Sequence, residues 1–261
     1  DRGDGVAQYE LEDTLRLYQH EELLRIGLCD LAGLLALPLV TAQLSNLADA
    51  LVRVCLEQLA GGSISLDDLA VIAMGKLGGG ELNYSSDVDL LFLAQKNAPA
   101  YEPLGRRLID ALSRVTTQGF LYRVDMRLRP WGQVGPLVSS VGGYLAYMEK
   151  HARLWEKQAL LKARAIAGNI DMGAEVLERI APALYQASPD IVRADVLQSK
   201  QRIEEQLRAQ GQEWGEVKLG QGSIRDVEFV TQYLQLAHGD VYPEVRSHNT
   251  LDALMRLAAC R

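Results

Sequence analysis

The stretch Met74–Leu93, MGKLGGGELNYSSDVDLLFL, decides the fold of this 261-residue chain. An apolar run, Leu69–Met74 (LAVIAM), leads into it and stops at Gly75, as a buried strand would. Val88–Leu93 (VDLLFL), at its far end, has the composition of a second buried strand. The stretch therefore predicts two strands joined by a glycine-rich loop, with acidic residues where the second strand begins.

Working outward from this pair of strands, the hydrophobic periodicity predicts an α+β fold: a small mixed sheet with flanking helices, followed by a helical-bundle domain. The further predicted elements are helices within 1–60, a helix over Leu104–Val115, a third strand over Phe120–Met126, a helix from Tyr144 through Gly168 (YLAYMEKHARLWEKQALLKARAIAG), and helices over Arg193–Gln210 and Ile224–Ala237.

The predicted domains are N-terminal helices (1–60) that pack on a catalytic domain (61–168), and a helical domain (169–261) with its boundary near Gly168. The chain starts at Asp1 without Met and ends in a helical pattern with no capping signal, which predicts a fragment of a longer protein.

Charge and composition narrow the possible partners. The net charge of −7 argues against a nonspecific nucleic-acid binder, which needs a basic surface. The longest apolar run, Leu31–Val40, is too short to cross a bilayer and contains proline, so no membrane association is expected. The three cysteines are scattered without metal-binding or disulfide spacing, which suits reduced thiols and a cytoplasmic location.

Acidic side chains at the predicted strands are the candidate catalytic groups. Asp87 and Asp89 are two residues apart, so their side chains point to the same face of a strand. Asp125 lies in the next predicted strand. Three carboxylates on neighbouring strands suit two Mg²⁺ ions in phosphoryl or nucleotidyl transfer. The alternative is a solvated pair of carboxylates at a sheet edge, as is usual for charged residues.

Other residues near this set are candidate phosphate ligands. Arg127 and Arg129 alternate with an apolar residue and would share the strand face of Asp125, where they could bind phosphate or form structural ion pairs. Glycines in the loop permit close approach of the backbone to a phosphate, and Lys76 could contact phosphate or cap the loop. The predicted substrate- and phosphate-binding residues are Gly75, Lys76, Gly78, Gly79, Ser85, Ser86, Arg127 and Arg129.

Four long motifs carry a resemblance to a known family: GKLGGGELNYSSDVDL, VDMRLRPWGQVGPLV, LWEKQALLKARAI and KLGQGSIRDVEF. From about Tyr9 to its end the chain resembles the glutamine-synthetase adenylyltransferases, also called glutamate–ammonia-ligase adenylyltransferases. These are similar in turn to the nucleotidyltransferase superfamily that includes DNA polymerase beta. The resemblance implies a polymerase beta-like sheet with Asp87, Asp89 and Asp125 as its Mg²⁺-binding triad.

The resemblance also implies one half of a bifunctional regulator of nitrogen assimilation. One half of such a protein attaches AMP from ATP to a tyrosine of glutamine synthetase, and the other removes it by phosphorolysis, giving ADP. GELNYSSDVDL, VDMRLRP, GPLV and GSIRD are more similar to the removing half, whereas QAL within WEKQALLKAR is nearer to the adenylylating half. The implied partners are glutamine synthetase, ATP or ADP, phosphate and a PII-type signal protein.

Several roles stay open at this stage. Arg225, Asp226 and Glu228 at a helix start could compensate the helix dipole or reach an active site. Lys162 and Arg164 could line a solvated helix face or contact phosphate. A non-catalytic nucleotide-binding regulatory module is the alternative from another functional class, although a sensor would not need three carboxylates.

Overall fold

A computed structural model describes the backbone of residues 3–211 and 216–260, and the side chains of these residues from Leu11 onward. The helices are α1 (Gly3–Leu31), α2 (Leu37–Ala60), α3 (Gly75–Gly78), α4 (Ala98–Ser113), α5 (Val141–Lys150), α6 (Leu154–Leu160), α7 (Ile170–Leu184), α8 (Pro189–Ala209), α9 (Ile224–His238) and α10 (Thr250–Ala259). The strands are β1 (Leu69–Met74), β2 (Val88–Ala94), β3 (Val124–Asp125), β4 (Val138–Ser140) and β5 (Arg164–Gly168).

The chain divides into two compact units. The first comprises residues 1–146 and 163–177 and carries the sheet. The second comprises residues 147–162 and 178–261 and is helical. The prediction of a small mixed sheet with flanking helices, followed by a helical part, is confirmed. The predicted domain bounds at residues 60 and 168 stay a prediction, because compact units do not test which segments fold independently.

The sheet of the first unit is mixed, with β1 at its centre beside β2 and β5. β1 pairs antiparallel with both neighbours, while β3 and β4 pair parallel with successive parts of β2. The continuous apolar sequences of β1 and of β2 after Asp89 follow from burial on both faces. On one face Val88 and Leu90 join the core formed with α2 and α4, and on the other Gly173 of α7 packs closely against Ala70 and Ile72.

Two predicted elements are wrong in type or length. The third strand was predicted over Phe120–Met126, but only Val124–Asp125 pair with β2. The helix predicted from Tyr144 through Gly168 is two short helices, α5 and α6, followed by β5. The five residues RAIAG are too few for their apolar pattern to distinguish a helix from a strand. They form a strand because they pair with β1.

The second unit is built from α6, α8, α9 and α10. Gln158 donates to Gln232 at 2.7 Å, which ties α6 to α9. The buried Gln235 side chain donates to the carbonyls of Val245 and Ser247 and so fixes the turn before α10. Asn249 caps α10 by accepting from the Asp252 amide at 3.0 Å.

Within the described part of the chain, one helix, α2, is long and apolar enough to cross a membrane by length and composition alone. Its buried residues are part of the first unit's core, and 56% of its most apolar window is buried inside the protein. Core helices of this kind pass the same test of composition.

Candidate functional site

The three candidate aspartates lie at the end of the sheet where β2 begins. Asp89 and Asp125 are directly paired in the parallel β2–β3 register, which puts their strands about 4.8 Å apart. Asp87 lies one residue before β2. Because Val88 and Leu90 lie in the core, Asp89 faces the opposite side of the strand, as the sequence predicts.

Gly75 brings the start of α3 against the Asp89 carboxylate. Its φ of +55° lies in the left-handed region that favours glycine. A Cβ built at this position would overlap Oδ2 of Asp89, so any other residue would have to displace the carboxylate. The register of β1 and β2, in which Met74 faces Asp89, fixes this contact. The first glycine of the loop is therefore required by the site's geometry.

Arg127 places a positive charge against the Asp125 carboxylate. Its Nε and Nη2 atoms donate to Oδ2 of Asp125 at 2.8 and 2.5 Å, and its backbone amide donates to Oδ1 at 2.8 Å. The hydrogen bonds and charge of Asp125 raise the pKa of Arg127, and the charges of Asp89 and Asp87 add to this effect. The positive charge of Arg127 is thus stabilised mainly by Asp125, with smaller contributions from Asp89 and Asp87.

The same contacts determine the ionisation of Asp125. Burial by itself raises the pKa of this carboxyl group, but the hydrogen bonds and positive charge of Arg127 outweigh burial, and the net pKa is lowered from its ordinary 3.8. Asp125 is therefore ionised throughout the physiological pH range and available as an anionic ligand.

Arg123 is a second cation at the site, and the sequence analysis missed it. Its Nε donates to Oδ1 of Asp87 at 2.5 Å, and its Nη2 donates to the carbonyl of Ser85 at 2.9 Å. Arg123 precedes Asp125 by two residues, so the alternation used for Arg127 could also have been applied to Arg123. The pair is solvent-exposed, so its net stabilisation of the fold is about 0–1 kcal/mol.

The two serines before Asp87 belong to a turn organised by Asn83. The side-chain oxygen of Asn83 accepts from the Ser85 amide at 3.2 Å and from the Ser86 hydroxyl at 2.7 Å. Such Asx-type turns fix a loop without regular secondary structure. Asn83, which the sequence analysis did not single out, thus shapes the approach to the aspartates.

Neither Arg127 nor Arg129 shares a strand face with Asp125, because β3 ends at that aspartate. The prediction that both arginines lie on the same strand face is therefore wrong, although Arg127 still pairs with Asp125. Arg129 instead donates to the carbonyls of Met126 at 2.9 Å and Gln133 at 3.2 Å. These bonds brace the loop that follows β3, so the side chain holds its own loop in shape.

The donor chemistry of the three aspartates fits a hard cation such as Mg²⁺, which prefers carboxylate oxygens. Across residues 11–211 and 216–260, however, no three acidic, histidine or cysteine side chains are grouped closely enough to hold a metal ion as they stand. Asp87 and Asp125 are turned instead toward the exposed side chains of Arg123 and Arg127. The guanidinium groups thus supply the positive charge beside the carboxylates.

The residues with open roles in the second unit form their own ion-pair cluster. Lys162 is buried and donates to Glu228 at 2.8 Å, and Arg225 lies 3.5 Å from the same carboxylate. Asp226 accepts from the Gly222 amide at 2.7 Å and is ion-paired with Lys200. Asp226 thus lies at the start of α9, as expected for dipole compensation, and Lys162 is not on a solvated helix face.

Comparison with protein families gives two matches. Residues 5–179 match the family described as glutamate-ammonia ligase adenylyltransferase. Residues 193–260 match the family described as GlnD PII-uridylyltransferase. The first match includes all three candidate aspartates and the glycine-rich loop.

Curated relatives share similarity over nearly the whole chain. Three proteins named bifunctional glutamine synthetase adenylyltransferase/adenylyl-removing enzyme are similar to it. The protein from Streptomyces avermitilis is 41% identical over 98% of this chain and 27% of its own length. That from Hahella chejuensis is 37% identical over 95% and 28%, and that from Mycobacterium leprae is 38% identical over 93% and 25%. The chain therefore spans about a quarter of the length of these relatives.

Proposed function

Since the chain belongs to the glutamate–ammonia ligase adenylyltransferase family, we propose that it performs metal-dependent nucleotidyl transfer on glutamine synthetase. The observation that carries this proposal is the direct pairing of Asp89 and Asp125 in neighbouring strands, with Gly75 packed against the Asp89 carboxylate. If these aspartates were only solvent-exposed carboxylates at a sheet edge, the position that contacts Asp89 would not need to be a glycine. The family match supports the same reaction class.

Asp87, Asp89 and Asp125 would hold two Mg²⁺ ions, which when bound would stabilise the entering and leaving oxygens of the transfer. Arg127 is ion-paired with Asp125 and also responds to the charges of Asp89 and Asp87, so we place it to bind phosphate oxygens of a substrate. We assign further phosphate contacts to the loop residues Gly75, Lys76, Gly78 and Gly79, and to the hydroxyl groups of Ser85 and Ser86. We give Arg129 a supporting role, because its bonds fix the loop that carries Arg127.

Removal of AMP from adenylylated tyrosine is the direction we propose, on the strength of GELNYSSDVDL, VDMRLRP and GPLV. An oxygen of inorganic phosphate attacks the α-phosphorus of the tyrosyl-AMP ester. The bond between that phosphorus and the phenolic oxygen breaks, the phenolate keeps the electron pair, and ADP forms. The phenolate then takes a proton from water. Because the pKa of tyrosine is about 10, a protein acid is not essential for this departure.

Two comparisons bear on partners. The match of residues 193–260, in the second unit, to a PII-uridylyltransferase family supports a PII-type signal protein as a partner of the whole protein. The curated names support glutamine synthetase as the protein substrate. We also propose a cytoplasmic location, where the protein would encounter glutamine synthetase and the PII-type signal protein.

The direction of transfer is tested by product analysis. The purified protein is incubated with adenylylated glutamine synthetase, phosphate and Mg²⁺, and separately with ATP and unmodified synthetase. We expect ADP in the first reaction and no added mass on the synthetase in the second. AMP in the first reaction would mean that water attacks instead of phosphate. Mass added in the second would assign the adenylylating direction, and no transfer in either would leave only the regulatory module.

A further inference from the structure

The side chain of Arg164 at the start of β5 joins three elements that are distant in sequence. It donates to both carboxylate oxygens of Asp49 on α2, at 2.6 and 3.2 Å. It also donates to the carbonyl of Leu77 at 3.0 Å and that of Gly78 at 3.3 Å, at the end of α3. Arg164 thus connects α2 and β5 to the short helix of the glycine-rich loop.

This arrangement leaves Arg164 directed into the first unit. The sequence alternatives were a solvated helix face or a phosphate contact, and neither describes a guanidinium that binds one carboxylate and two carbonyls. The planar guanidinium has five donors in a fixed fork, so it can serve these acceptors together. A lysine ammonium, as a single point charge on a flexible stem, cannot span the same set.

Asp49 is the buried anchor of this cluster. It lies within the apolar packing of α2, with a relative exposure of 8%. Burial raises the pKa of its carboxyl group, and the hydrogen bond and charge of Arg164 act in the opposite direction. Without Arg164 the carboxylate would be left without its main partner in a poorly hydrated place.

The clamped loop is the one that contacts a candidate metal ligand. Gly75 at the start of α3 abuts the Asp89 carboxylate, while Leu77 and Gly78 at its end accept from Arg164. The amides of Gly79 and Glu81 bond back to the carbonyls of Gly75 and Lys76, which makes the loop one compact turn. A shift at its end is therefore transmitted to the groups beside Asp89.

We propose that Arg164 and Asp49 are positioning residues for the nucleotidyl-transfer site, which fix the glycine-rich loop against Asp89 without touching the substrate. The proposal rests on the proposed function for its catalytic consequence. Its structural part, that the pair holds the loop in place, concerns only residues of the first unit. Misplacing groups by about 1 Å can cost roughly 100-fold in rate, so a clamp outside the chemistry can control the reaction.

The test compares Arg164→Lys and Asp49→Asn with Glu12→Gln. Glu12 is a matched control, because it is also a buried carboxylate on a helix of the first unit and forms an ion pair with Arg114, which follows α4. Each variant is measured for thermal stability, for hydrogen exchange of the segment 75–81, and for KM and kcat. The KM for phosphate or ATP is compared with the KM for glutamine synthetase.

We expect all three substitutions to lower the melting temperature, but only the two clamp variants to speed exchange in the segment 75–81. Arg164→Lys should lower kcat/KM for phosphate or ATP about 10- to 100-fold, and Asp49→Asn should lower it less, because Arg164 can still reach the loop carbonyls. The KM for glutamine synthetase should stay unchanged in both.

Exchange and kinetics that match those of Glu12→Gln would overturn the proposal, because the pair would then contribute only stability. If Arg164→Lys does not fold, the nearly isosteric Asp49→Asn variant decides between these outcomes. A wild-type protein without transfer in either direction would refute the proposed function. In that case, hydrogen exchange of the segment 75–81 would still show whether Arg164 fixes the glycine-rich loop.

Discussion

At the residue scale, the site is governed by pairs of opposite charge. Asp87 is paired with Arg123, and Asp125 with Arg127. Two carboxylates about 4 Å apart repel by roughly 1–4 kcal/mol, depending on the local dielectric. In the protein without bound metal, the two arginines relieve this repulsion. In the metal-bound site, a divalent cation would relieve it instead. Metal binding is therefore expected to compete with two ion pairs.

Arg127→Ala should reduce transfer strongly. Removing a cation that stabilises developing charge costs about 2–4 kcal/mol of transition-state stabilisation, by analogy with the loss of one oxyanion donor. Steady-state kinetics with saturating Mg²⁺ measure this as a fall in kcat/KM. Arg106→Ala is the control, because Arg106 is an exposed arginine that forms only a surface ion pair within α4. Equal activity of both variants would exclude Arg127 from the chemistry.

The same substitution also has an expected pH dependence. Arg127 lowers the pKa of Asp125 below 3.8, so the resulting stability is present above about pH 4 and is lost as the pH falls through the lowered pKa. The difference in unfolding free energy between wild type and Arg127→Ala should shrink below that pH. Denaturant titrations at several acidic pH values measure it.

At the element scale, Gly75→Ala should damage both the fold and the site. The positive φ alone costs about 1–3 kcal/mol of stability for a residue with a Cβ. The added Cβ must also displace the Asp89 carboxylate, so activity should fall well beyond the loss of stability. Gly62→Ala is a matched control, since Gly62 has a φ of +69° and nothing within 4 Å of its built Cβ.

Thermal unfolding and transfer assays compare the two glycine variants. Similar loss of stability in both, with activity lost only in Gly75→Ala, would support the contact with Asp89. Retained activity in Gly75→Ala would mean that the carboxylate can move without consequence, contrary to the account of the site.

The sequence predicted the elements that rest on local patterns. β1 and the part of β2 after Asp89 were predictable because burial on both faces makes these sequences continuously apolar. The face of Asp89, opposite to that of Val88 and Leu90, followed from the alternation of a strand. β5 was not predictable in this way, because its five residues are too few to distinguish a strand from a helix, and its pairing with β1 joins segments far apart in the sequence.

The contacts of individual arginines also show that local sequence patterns do not predict contacts between distant segments. Arg127 lies two residues from Asp125, so the ion pair between them could be predicted from the sequence. The four bonds of Arg164 link residues separated by 86 to 115 positions, and no local pattern indicates such a set. The end of β3 at Asp125 likewise depends on where β2 offers partners, which is why the strand face predicted for Arg129 was wrong.

At the scale of the whole molecule, the two units carry different indications of function. The sheet-bearing unit holds the candidate carboxylates and most of the adenylyltransferase family match. The helical unit holds the match to a PII-uridylyltransferase family and an ion-pair cluster of its own. The central claim, a metal site at Asp87, Asp89 and Asp125, therefore concerns the first unit and can be tested apart from partners.

The most direct measurement is binding of Mn²⁺, in place of Mg²⁺, followed by electron paramagnetic resonance in the presence of ADP. Mn²⁺ favours the same oxygen ligands. We predict two bound ions in the wild type, and binding weakened at least about 10-fold in Asp89→Asn and Asp125→Asn. Asp110→Asn, which changes an exposed carboxylate on α4, should bind as the wild type does. Unchanged Mn²⁺ binding in both site variants would contradict the metal site and the reaction proposed from it.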